Sequence, residues 1–189
     1  MVIEGYHACR TDGGIARALA EGPFRSDTDT YLGVGFYLWE GFKEHGVWWG
    51  ECHIWGKHRR RYFVLRCDIE FEDSRESQVY FDLLGRTEDK KLMIELLNDA
   101  VELGYENEEM NLGEFINWLR ELNKEKPGIF PYRIIRALDA TKASDSAHSV
   151  HFKSGSTQML DLGPRVMICF HDKGDVHLHQ VRVVHTKTD

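Results

Sequence analysis

The chain has 189 residues, 42% of them hydrophobic, which is enough to fill one sizeable core and too little to favour two, so a single domain over residues 1–189 is expected. A formal net charge of −7 argues against broad affinity for nucleic acid, because such binding rests on neutralising phosphates. No apolar run approaches a membrane span, and the opening "MVIEGYHACR" lacks both a basic n-region and a long apolar stretch, so a cytoplasmic protein without a membrane partner is expected.

In chain order, "VIEGYHAC" reads as a strand ending near Arg10, where "TDGG" is turn chemistry. A short helix is predicted over Ile15 to Glu21, stopped by Gly22 and Pro23. "YLGVGFYLW" reads as a loop running into a strand, and Phe42 to Cys52 as a helix that Gly46 and Gly50 weaken. "YFVLRCDIEF" is the clearest strand: Phe63, Leu65, Cys67, Ile69 and Phe71 share one face, and Arg66, Asp68 and Glu70 the other. A helix capped by Thr87 follows, with Met93, Leu96, Leu97, Ala100 and Val101 at helical spacing and Gly104 closing it. The next helix starts at a capping box, Asn111 with Glu114, buries Leu112, Phe115, Ile116, Leu119 and Leu122, and ends before Pro127. These two helices form an insert at about residues 88–126. Strands return in "YRIIRAL", "STQML", "RVMICF" and "VHLHQVRVV", the last two joined across "HDKGD" as a hairpin. Strands around a helical pair give an α+β class with mainly antiparallel sheets. Cys9, Cys52, Cys67 and Cys169 are widely spaced with no CxxC pair, so reduced thiols are expected rather than a zinc ribbon or a redox motif.

The glycines and aromatics of "YLGVGFYLWEGFKEHGVWWGEC" pose a question of purpose, since glycine lets a chain or a flat ligand approach the backbone and a ring offers a face for stacking. A strand holding "YHAC", then "GVGFYLW", then an aromatic eleven residues past the tyrosine resembles the NAD-binding half of ADP-ribosyltransferases of the diphtheria-toxin and PARP type, over roughly the first 50 residues. The resemblance implies an ADP-ribosyltransferase-like fold of two packed, mainly antiparallel sheets with a helical insertion. It implies NAD as substrate, no metal, and transfer of one ADP-ribose to a macromolecular acceptor, protein or nucleic acid. The implied setting is a toxin or defence effector with an antitoxin or immunity protein as partner. By the same resemblance His7 bonds a ribose hydroxyl, Tyr37 stacks on the nicotinamide ring and Trp48 closes its other face. Ala8 offers its backbone N–H and C=O to the carboxamide, while Gly33 and Gly35 allow backbone approach. Holding the ribose, orienting the ring and sheltering positive charge are what an oxocarbenium-like transition state requires.

The chain departs from that pattern in places. "HGT" has become "HAC", and His45 stands where the family often has serine. The family usually has a glutamate at the start of a late strand, yet no glutamate follows Glu125. If "RVMICF" is that strand, the position falls at or near Val166; otherwise Gln158 or Asp161 supplies the polar contact. An amide at Gln158 can bond a hydroxyl but cannot act as a base, whereas Asp161 can do either. Two readings compete with the transferase: a module that binds NAD or ADP-ribose without chemistry, and a nucleic-acid-interacting protein using the Lys57–Arg61 patch of "KHRRRY", Lys57 to Tyr62. His171, His177, His179 and His185 read as a polar strand side rather than a metal site, and His148 and His151 as part of a Ser-rich loop. No GxSxG elbow suggests a hydrolase.

Overall fold

The computed structural model describes residues 1–26, 30–104, 111–139, 149–151, 159–161 and 163–188, with the short segments 149–151 and 159–161 described by backbone alone. Among the described residues the strands are β1 (Val2–Arg10), β2 (Arg25–Ser26), β3 (Gly35–Glu40), β4 (Tyr62–Glu70), β5 (Tyr80–Asp82), β6 (Ile134–Leu138), β7 (Ser149–His151), β8 (Met159–Asp161), β9 (Val166–Phe170) and β10 (His177–Lys187). The helices are α1 (Gly14–Glu21), α2 (Lys43–Trp49), α3 (Thr87–Glu102) and α4 (Leu112–Glu125), and a π-helical turn, Gly50–Gly56, continues α2. None of the helices is long and apolar enough to cross a membrane.

The class is α+β, but the expectation of two packed sheets is corrected. One eight-stranded sheet runs β10-β4-β1-β3-β9-β6-β5 with β2 beside β3, and β7 and β8 pair separately. The sheet is antiparallel except where β5 runs parallel to β6. Its two halves are joined by a narrow seam. β1 faces β4 from Val2↔Glu70 to Arg10↔Tyr62 and β3 faces β9 from Phe36↔Phe170 to Trp39↔Met167, yet β1 meets β3 only at Gly5↔Glu40 and Tyr6↔Trp39. Past Tyr6 the strands part, and β2 takes the vacated edge of β3 at Arg25↔Phe36 and Ser26↔Gly35.

Both faces of the sheet carry core. Phe63, Leu65, Cys67, Ile69 and Phe71 pack with Ile3, Leu38 and Ile168 on one side, as their alternation predicts. Tyr62 and Val64 point to the other side and are also fully buried, because α2 and the π-helical turn cover that face, Gly46 lying against Val64 and Gly50 against the Tyr62 ring, whose hydroxyl donates to Glu51 at 2.9 Å. Half of β4 is therefore apolar on both faces.

Three local readings change. Arg86, not Thr87, is the N-cap of α3; its guanidinium donates to Tyr80 O (3.3 Å) and Asp73 O (3.1 Å), which fixes the chain one residue earlier. β9 and β10 do not form a hairpin: β3 and β6 occupy both edges of β9, and β10 crosses to the outer edge of β4. "HDKGD" forms a short 3-10 turn capped by Asp172. Of the predicted "STQML" strand only Met159 and Leu160 lie within the described residues, where they open β8.

The capping box of α4 is present, with Asn111 Oδ1 accepting from Glu114 N at 3.0 Å and Glu114 Oε2 from Asn111 N at 2.9 Å. That helix grips the loop entering β3: Asn117 Oδ1 accepts from Val34 N (2.8 Å) and Arg120 donates to Val34 O (2.9 Å). Gly113 makes the approach possible, since a Cβ there would lie 1.6 Å from Thr30 O. Gly113→Ala is expected to lower folding stability by about 1–3 kcal/mol through overpacking. Urea unfolding checks it, and an unshifted midpoint would show that the grip is dispensable.

Candidate active site

The parting of β1 and β3 opens a cavity of about 650 Å³. That is within the range of small-molecule sites, about 300–1,000 Å³. His7, Ala8, Tyr37 and Trp48 all line it, so the fold brings together four residues that the sequence places on two strands and a helix.

The backbone of Ala8 faces this gap. Thr11 N donates to Arg61 O and Phe71 N to Met1 O, so odd positions of β1 turn their amides and carbonyls toward β4. Gly41 N donates to Glu4 O, so even positions turn toward β3. Continuing the β1–β3 register would pair Ala8 with Tyr37, but the ladder stops at Tyr6↔Trp39. The His7 imidazole accounts for the stop: its Nδ1–H donates to Tyr37 O at 2.9 Å, taking the acceptor that Ala8 N–H would have used. The Ala8 N–H and C=O are left for whatever enters the cavity.

His7 itself is fully engaged. Phe24 N–H donates to Nε2 at 3.1 Å, which fixes the neutral Nδ1–H tautomer and leaves no ring nitrogen for a ribose hydroxyl in this arrangement. Burial pushes its pKa down from 6.5 to about 4, against the opposing pull of the Tyr37 carbonyl. The unfolded state then binds the extra proton between those values, so the contribution of His7 to stability is complete above pH 6.5 and is lost as pH falls toward 4. Urea midpoints of the wild type should drop over that window more steeply than those of His7→Gln. Parallel curves would show that His7 titrates normally in the fold.

Tyr37 is anchored at its hydroxyl, which donates to Gly33 O (2.6 Å) and accepts from Leu32 N (2.7 Å), and burial holds its pKa above the ordinary tyrosine range. The anchor sets one ring as a wall of the cavity. Gly33 and Gly35 are not in the lining. A Cβ on Gly33 would meet Asn117 Oδ1 at 2.7 Å and one on Gly35 would meet Cys169 Sγ at 2.6 Å. These glycines admit α4 and β9, not a ligand.

The opposite wall is a tryptophan cluster. Trp48 meets Trp39 edge-on at 5.8 Å, and Trp49 stacks on His53 at 3.8 Å; all four side chains line the cavity. The Arg165 guanidinium lies 4.1 Å from the centre of the Trp48 ring and covers one of its faces. The same side chain reaches Asp139, Nε to Oδ2 at 3.1 Å, while Asp139 N donates to Arg165 O at 2.7 Å. Asp139 follows the end of β6, is only 9% exposed and lines the cavity. It is a lining acidic group that the sequence reading did not pick out. A carboxylate directly after the predicted strand "YRIIRAL" was its one available signal.

The lining also includes Arg10, Arg17 and Arg25. Arg17 is paired with Glu21 at 2.8 Å, whereas Arg10 and Arg25 add positive potential suited to an anion. Val166 is buried at the start of β9, and its neighbour Met167, opposite Trp39 in the ladder, lines the cavity with a thioether where a glutamate was sought. Gln158 lies outside the described residues. The backbone of Asp161 pairs with Ser149 in the separate two-stranded sheet.

Of the histidines near the chain end, His177 and His179 meet edge-on with ring centroids 4.6 Å apart, while the remaining contacts diverge. His171 approaches Val34 O at 3.3 Å, His179 pairs with Glu70 at 2.9 Å and His185 lies 5.6 Å from the Tyr62 ring. No group of potential metal ligands occurs among the described residues. Comparison with protein-family models, curated proteins and solved structures gave no match to this chain.

Proposed function

We propose that the protein is a mono-ADP-ribosyltransferase that cleaves NAD and moves one ADP-ribose to a macromolecular acceptor. The observation that carries this reading is the interrupted β1–β3 ladder, which leaves the N–H and C=O of Ala8 without a β3 partner beside a cavity lined by both aromatic rings and arginines. A carboxamide matches such a donor–acceptor pair, flat rings match Tyr37 and the tryptophans, and a pyrophosphate matches Arg10 and Arg25.

In this reading the nicotinamide sits against Tyr37 with its amide on Ala8. Breaking the bond from ribose C1′ to the ring nitrogen sends the electron pair to nicotinamide, which leaves neutral, and C1′ becomes cationic. Asp139 is a lining carboxylate, and its charge stabilises that cation while Arg165 holds it in place. The acceptor nucleophile then bonds to C1′ and releases its proton. His7 serves as a positioning residue, holding the Tyr37 carbonyl and the Phe24 amide apart from the Ala8 backbone. Gln158 and Asp161 have no role in this scheme.

Incubation with NAD labelled in its ADP-ribose half, together with a cell lysate, tests the proposal. Nicotinamide release with label on macromolecules is the expected result. Saturable NAD binding with no release would favour a binding module instead, and no binding would remove the reading altogether.

A further inference from the structure

The π-helical turn ends in a run of exposed residues, Lys57, His58, Arg59, Arg60 and Arg61, in a chain whose net charge is −7. This run borders the mouth of the cavity. Arg60 reaches Asp12 at 3.9 Å and Thr11 N donates to Arg61 O at 3.2 Å, while Arg10 and Asp12 belong to the lining. Burial lowers the pKa of His53, and the Lys57 charge lowers it further, which places Lys57 beside a second lining residue. The cationic run therefore lies beside lining residues from both the turn after β1 and the π-helical turn.

Three features separate it from an ordinary solvated face. Among the described residues no acidic partner pairs with Lys57 or Arg59. Aromatic faces are interleaved with the charges: Arg59 lies 5.9 Å and Lys187 5.1 Å from the Trp55 ring, and Trp49 is 37% exposed. Finally, Arg59 closes the helical turn with φ +52, its N–H donating to Trp55 O at 2.7 Å. Glycine is the residue that suits this left-handed closing position, so an arginine is held there against its backbone preference.

We propose that this rim is a docking surface for a single-stranded nucleic acid, with phosphates on Lys57, His58 and Arg59 and a base against the exposed part of Trp49. Charge alone would suit an acidic peptide as well, but a peptide of that kind has no flat ring for Trp49, whereas every base does. A duplex keeps its bases stacked inside and offers Trp49 nothing. The strong negative charge of the rest of the molecule confines phosphate contacts to this short run.

The experiment is fluorescence anisotropy of labelled single strands of about 12 nucleotides, RNA and DNA in separate arms, without NAD, so that the result is independent of the chemistry proposed for the cavity. With about three phosphate contacts, affinity should fall about 20-fold between about 50 and about 200 mM salt. Lys57→Ala combined with Arg59→Gly should reduce the salt slope by about 1.4 and weaken binding at low salt about tenfold. Arg59→Gly alone should raise the unfolding midpoint while lowering affinity, a split that a purely structural arginine would not produce. Trp49→Ala should also weaken binding about tenfold. Binding of either strand supports the proposal, and the preferred arm identifies the sugar. Absence of saturable binding at low salt, indifference to these variants, or equal affinity for a duplex or for poly-glutamate would overturn it.

Discussion

Asp139→Asn is expected to reduce nicotinamide release from NAD by about a hundredfold to a thousandfold while leaving NAD binding in place. The substitution keeps the shape of the side chain and removes only its charge. The backbone bond from Asp139 N to Arg165 O at 2.7 Å does not involve the carboxylate and should hold the residue where it is. What is lost is the negative charge that the proposed mechanism sets against a developing cation. Because Arg165 would lose its partner, the unfolding midpoint must be measured alongside turnover. A folded Asn variant that releases nicotinamide at the wild-type rate would remove Asp139 from the chemistry. It would turn attention back to Gln158, which the described residues do not include.

The second large effect is expected at Tyr37. Tyr37→Ala should lower NAD turnover by about a hundredfold or more, since it removes a wall of the cavity and with it the orientation of the ring. Tyr37→Phe separates the two functions of this side chain. It keeps the ring but leaves Leu32 N and Gly33 O without the hydroxyl between them, so stability should fall by about 1–3 kcal/mol with a far smaller change in turnover. Steady-state release of nicotinamide and urea unfolding of both variants decide the matter. Equal losses of turnover in Ala and Phe would mean that the anchored loop, not the ring face, is what the site depends on.

Local chemistry was legible in the sequence, and its reach is seen in particular elements. The alternation of Phe63, Leu65, Cys67, Ile69 and Phe71 marks a strand face because side chains two apart share a side, whatever the rest of the chain does. Asn111 and Glu114 mark the start of α4 because a capping box closes within one turn. Likewise His7, Ala8, Tyr37 and Trp48 could be picked out by order and spacing, and all four reach one cavity.

Tertiary structure decided everything that depends on which edge meets which. β9 and β10 are neighbours in sequence with a turn between them, yet three strands separate them, because β3 and β6 fill both edges of β9. Whether Gly33 and Gly35 admit a ligand or the protein itself was open to the sequence, and contacts with Asn117 and Cys169, far along the chain, settled it. The roles of His7 and Ala8 are coupled in the same way: one imidazole takes the carbonyl of Tyr37, a residue thirty positions away, and thereby frees a backbone amide. Asp139 enters the site because the pairing of Leu138 with Val166 carries the end of β6 to Arg165 and the tryptophans. A propensity acts over a few residues, whereas a strand edge accepts whichever partner the whole chain leaves available, and this site is built from such edges.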